Sequence, residues 1–120
     1  MKNLLLLIVF ATIISSCKKD DSAPANNFIN TKWTAPDDIA KLIYGGTCTA
    51  SIEFVSDTKC QFITQRVGGI LGNINVSQQY NYTFSADSVF CDKWKAKVSG
   101  SIMVSNIKTI AGGQRTYIKE

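Results

Sequence analysis

Between Leu4 and Cys17 the chain reads LLLLIVFATIISSC, and no other stretch constrains it as much. Lys2 supplies a positive start, and Leu4 to Ile14 is apolar apart from Thr12. A helix of that length is about 17 Å long, against roughly 30 Å of bilayer hydrocarbon. The run is too short to span a membrane and has the dimensions of a secretion-signal core. Residues 1–16 therefore read as a signal peptide, 17–30 as a flexible tether and 31–120 as one folded domain.

Ile14-Ser15-Ser16-Cys17 resembles the bacterial lipobox, a branched residue and two small ones before a cysteine. The resemblance implies cleavage before Cys17, a thioether lipid on its sulfur and acylation of the new amino terminus. Several acyl chains at ~0.8 kcal/mol per buried methylene give stable anchoring. Lys18-Lys19-Asp20-Asp21 is similar to charged tetrapeptides that direct some lipoproteins to the outer face of the outer membrane. A solvated spacer has the same composition. Asp21-Ser22-Ala23 resembles a short bacterial O-glycosylation acceptor at Ser22, and Asp87-Ser88-Val89 has the same form. The expected location is thus the outer membrane, with the lipid-anchored domain on the cell surface.

Charge excludes one large class of partner. Lys2 is the only charge in residues 1–16, so the remainder keeps 12 basic and 9 acidic residues, net +3 from the chain's +4. No stripe of Lys or Arg interleaved with aromatics accompanies it, so nucleic acid is not expected. Lys93, Lys95 and Lys97 alternate as on a solvated strand face. The chain has no histidine, which removes Ser-His-Asp and Cys-His mechanisms and His-ligated metals. Cys48, Cys60 and Cys91 are spaced by 12 and 31, which fits no zinc template. Neither catalytic residues, metal ligands nor a cofactor are expected.

Ser22 to Asn30 is small and polar, as a tether is. Thr31 to Thr34 can start a first strand. Thr34 and Asp37 then form a capping-box-like pair, and Ile39, Leu42 and Ile43 recur at helical spacing up to Gly45-Gly46. So short a helix must rest its apolar face on something, most simply the open end of a sheet. From Thr47 the period is two. Strands are expected at 47–55, 59–66, 75–84, 88–92, 93–98, 101–110 and 115–119, separated by polar or glycine turns. Eight short strands without a long crossover make an antiparallel meander, and closing it removes its edges. The expected fold is all-β, a small up-and-down barrel with one short helix near its amino terminus.

Phe28 to Trp33 places a tryptophan at the opening of the first strand. Phe54-Val55-Ser56-Asp57-Thr58 and Tyr80-Asn81-Tyr82-Thr83-Phe84 followed by Asp87-Ser88-Val89 supply hairpins. Over residues 28–120 this resembles the lipocalin-like domains of bacterial lipoproteins, with Thr31 where that pattern has Gly. The resemblance implies ligand binding inside the barrel. Trp33 either lines such a cavity or plugs one end. Tyr80 and Tyr82 share a strand face and could stack a sugar or small hydrophobic ligand, or serve as core aromatics. Trp94 stands between two lysines that face the other way; it is either core or the leading surface-contact residue. Ile70 and Leu71, in the glycine-rich segment 67–73, suit a lid or a partner contact.

With Asp57 at the hairpin turn, Cys60 faces Phe54 and Cys48 faces Arg66. Cys48 and Cys60 then stand about 20 Å apart along the strands, too far for a disulfide. Cys60 and Cys91 could meet through sheet curvature, and buried thiols are the default. Two functions follow as expectations. One is a surface lipoprotein whose barrel binds a small ligand or a partner protein. The other is a filled barrel that serves as an interaction subunit of an envelope complex.

Overall fold

The computed structural model describes residues 24–120; the expected signal peptide, Cys17, the charged tetrapeptide and Ser22 lie outside the described residues. The strands are β1 (Lys32–Pro36), β2 (Thr47–Phe54), β3 (Lys59–Val67), β4 (Ile74–Phe84), β5 (Ser88–Cys91), β6 (Lys95–Ser99), β7 (Ile102–Lys108) and β8 (Gln114–Lys119). Among the described residues one helix, α1 (Asp38–Tyr44), lies between β1 and β2. Each strand pairs antiparallel with the next, and β8 returns to β1 through Trp33↔Lys119 and Thr34↔Ile118. The fold is a closed, eight-stranded, up-and-down barrel. The β2–β3 register places Phe54 opposite Cys60 and Cys48 opposite Arg66, as the turn at Asp57 dictates.

Side chains alternate inward and outward along each strand, so eight strands leave room for little more than one layer of interior groups. Large and small residues share it. Trp33, Ile52, Phe54, Met103 and Tyr117 are buried alongside Ala35, Ala50, Ala96 and Ser105. Ile52, Phe54, Cys60, Val89, Met103 and Tyr117 have 0% of their surface accessible. The lumen is closely packed around these side chains, and Phe62, Tyr80, Cys91, Val98 and Ile107 pack against it partly buried.

One end of the barrel holds the chain entry, the β2–β3, β4–β5 and β6–β7 hairpins and the carboxyl terminus. It is plugged from below. Phe28 is buried against Phe54 and Phe84, with ring centroids 5.4 and 6.2 Å apart. The Asn30 backbone N–H donates to the Phe54 carbonyl at 2.8 Å, and Asn26 donates to the Tyr82 hydroxyl at 2.7 Å. The expected flexible tether therefore ends earlier than residue 30, because Phe28 gains more from burial than the chain loses in freedom. The Trp33 indole N–H donates to the Thr31 hydroxyl at 2.9 Å, so threonine rather than glycine at 31 supplies a partner for the buried ring.

At the other end stand α1 and the β3–β4, β5–β6 and β7–β8 connections. The cap of α1 is Asp37, not Thr34. The Asp37 carboxylate accepts from the Ala40 N–H at 3.2 Å, while Thr34 lies in β1 with its hydroxyl 2.9 Å from that of Ser51. The same Asp37 oxygen takes the Arg115 guanidinium at 3.0 Å, and both side chains are largely buried. Removing one member of a buried pair strands the other charge and costs about 3–5 kcal/mol. Asp37→Asn keeps a capping side chain but removes the charge, so thermal or denaturant unfolding should register a loss of about that size.

Candidate functional site

The inward face of α1 is set by its ion pair. Asp37, Ala40 and Tyr44 recur at helical spacing. Asp37 is bound to Arg115, Ala40 is buried, and the ring of Tyr44 carries the Arg66 guanidinium 4.0 Å from its centroid. Ile39, Leu42 and Ile43 occupy the opposite side and are exposed, Leu42 to 71%. The expectation that these three rest on the barrel end is thus overturned. The lumen below is already full, and the polar anchor rotates the helix so that alanine, the smallest side chain, meets the wall.

The β3–β4 loop packs against the end of this helix. The Ile70 N–H donates to the Tyr44 carbonyl at 3.0 Å. Gly46 and Gly69 both have positive φ, and a Cβ on Gly69 would stand 2.3 Å from the Tyr44 carbonyl oxygen. Only glycine allows loop and helix to approach this closely. Val67, Ile70 and Leu71 are exposed there, Ile70 to 79%. Leu42, Ile43, Val67, Ile70 and Leu71 are thus all exposed at the barrel end away from the chain entry. Large exposed apolar patches mark interaction sites.

The other expected site residues are dispersed. Trp33 is core, not a cavity wall. Tyr82 is buried and donates its hydroxyl proton to the Ser56 carbonyl at 2.7 Å, which commits it to closing the plugged end. Tyr80, half-buried, donates to the Gln78 side chain at 2.6 Å. Trp94 is not a surface contact. It is 4% exposed and follows the tight turn that the Cys91 N–H makes to the Trp94 carbonyl at 2.8 Å. Lys93 and Lys95 point out on either side, so alternation turns the indole into the barrel. Ile70 and Leu71 are exposed in a loop that holds the helix.

The depressions of the surface lie on the outer wall or at the ends. One, of about 270 Å³, is lined by Phe90, Lys95, Lys97, Asn106 and Gln114 on the outer face of β5–β8. Sequence reasoning missed it, because it is formed by outward-facing side chains of four adjacent strands that alternation assigns to solvent. Among the described residues no three metal-ligating side chains converge.

Cys48, Cys60 and Cys91 are free thiols. Cys60 faces Tyr80 and Cys91 faces Tyr82, so β4 stands between them and their positions differ by two residues. The two are still close enough to interact. Burial first, and then the neighbouring Cys91, push the Cys60 thiol up from 9.0 to about 12. Burial also raises the Tyr82 and Tyr117 hydroxyls. An unfolded chain releases the Cys60 proton from pH 9 while the folded chain retains it to about 12, so stability is complete below pH 9 and falls above it. Melting temperature should therefore be flat from about pH 6 to 8 and drop steadily as pH rises from 9.0 toward about 12, with Cys60→Ala, less stable at neutral pH, dropping less steeply. No family model, curated protein or solved structure matches this chain.

Proposed function

We propose that the chain is a lipoprotein held in the cell envelope by acyl groups on Cys17, and that its barrel is a rigid mount for a protein-binding end. The supporting observation is the inverted helix. An amphipathic helix that turns its polar anchor toward its own domain and Ile39, Leu42 and Ile43 toward solvent is built to meet another surface. The adjacent Ile70 and Leu71 extend that surface across the β3–β4 loop. The close packing of Ile52, Phe54, Met103 and Tyr117 in the lumen supports the same reading. Capture of a small ligand has one observation in its favour, the groove beside Phe90 with its two lysines, and would take place on the outer wall. An outer-membrane, surface-exposed location is part of the proposal and rests on the resemblances at Ile14–Cys17 and Lys18–Asp21.

Two measurements test it. Cys17→Ser should leave the expressed chain unlipidated and move it from the membrane to the aqueous fraction; unchanged partitioning and mass would refute the anchor. A photo-crosslinking residue at Leu42 or Leu71 in the full, lipidated chain should trap one protein that the same residue at Thr116 on the outer wall does not. Leu42→Asp with Leu71→Asp should abolish that adduct while shifting stability by no more than about 0.5 kcal/mol, as surface changes do. Equal trapping from all three positions would remove the apolar end as the docking surface.

A further inference from the structure

Barrel closure leaves one strand edge bare. β4 has 11 residues and β5 has 4, and they pair only over Tyr82–Phe84. Above Tyr82, β4 pairs with β3 alone, from Lys59↔Asn81 to Arg66↔Ile74.

The direction of the unpaired groups follows from two bonds. The Tyr82 N–H donates to the Thr58 carbonyl at 2.9 Å, and the Ser85 N–H donates to the Ser88 carbonyl at 2.9 Å. In an antiparallel ladder every second residue bonds to a given neighbour. Even-numbered β4 residues therefore bond to β3, and odd-numbered ones direct N–H and C=O toward the β5 side. For Asn75, Ser77, Gln79 and Asn81 no strand stands there, and all four are exposed. The usual guards of an edge are charge, proline, a bulge or a covering element. Residues 74–81 read INVSQQYN, with no charge and no proline, and the β3–β4 register runs without a shift. Charges stand beside the two ends of this stretch and not on it: Lys59 reaches Asn81 from β3, and Arg66 lies opposite Ile74.

We propose that this edge is where two copies of the chain associate, with their β4 strands antiparallel about a two-fold axis beside Gln78. That register sets Asn75 against Asn81 and Ser77 against Gln79 in both directions, so every bare N–H and C=O of both edges is satisfied. The edge is self-complementary, and because it is neutral its two copies meet without like-charge repulsion. A symmetric pair of this kind closes and cannot propagate. The proposal uses backbone groups of β4 and does not depend on the reading of the apolar end.

Residues 24–120 close the eight-stranded barrel and contain the buried core described above, so that segment can be tested alone, under reducing conditions. Sedimentation equilibrium should give a mass that doubles with concentration. Hydrogen exchange should give amides of 75, 77, 79 and 81 that become protected only in the concentrated sample, while those of 76, 78 and 80 are protected throughout. Ser77→Pro removes an edge N–H that β3 does not use; it should keep the melting temperature and weaken self-association about tenfold or more. Gln78→Pro, which breaks a β3 bond, should instead lower the melting temperature. A monomer at about 0.5 mM would overturn the proposal. A dimer whose odd-numbered amides stay open, or that Ser77→Pro does not weaken, would also overturn it, as would a monomer whose edge is protected only by another envelope protein.

Discussion

A lumen eight strands wide decides most of what this chain does with its hydrophobic residues. Such a barrel has space for side chains and little else. Trp33, Phe54, Met103 and Tyr117 fill it only because Ala35, Ala50, Ala96 and Ser105 stand among them. Phe28 closes one end, and Trp94 and the Asp37–Arg115 pair close the other. Once those places are taken, apolar residues left over must face outward. Ile39, Leu42 and Ile43 are that remainder, and their exposure follows from the fullness of the core beneath them.

The ion pair then fixes which way the remainder points. Arg115 is nearly buried, and its only described ionic partner is Asp37, 78 residues away. A buried guanidinium without a carboxylate is costly, so the first turn of α1 is held over the end of β8 whatever the apolar content of the helix. Burial of Leu42 and Ile43 would contribute about 1.5–3 kcal/mol each if a cavity were there to receive them. The lumen offers none. Electrostatics and lumen width agree, and the helix periodicity is overridden.

Local features of the sequence made the strands legible. The alternation from Cys48 to Phe54, and Asp57 at the turn, placed the β2–β3 register residue for residue. Strand order and closure also followed, because consecutive short strands with tight turns have few other arrangements. The helix orientation was not legible, since it depends on Arg115 from the last strand. Alternation with Lys93 and Lys95 left Trp94 open between core and surface contact, and its burial places it in the core. Phe28 was hidden in a segment whose composition resembles a linker, and only its contacts with Phe54 and Phe84 reveal its place. The apolar end was half legible, through Ile70 and Leu71, and its other half lay in residues assigned to the core.

The length mismatch between β4 and β5 ties the outward features to the architecture. Strands in a closed barrel are tilted and staggered, so a long hairpin beside a short one must project. The β3–β4 hairpin projects at the end away from the chain entry, with one free edge along β4 and Ile70 and Leu71 at its tip. Its exposed residues, Asn75 to Gln79 on both faces, are the kind that a barrel optimised only for stability would shorten or charge. Phe28 and the neighbouring backbone bonds occupy the opposite end, where an anchor on the preceding chain would hold the domain. Such an anchor leaves the hairpin tip and the outward face of α1 directed away from the point of attachment. The division of the barrel into a plugged end and an unfinished end is therefore a property of its strand lengths.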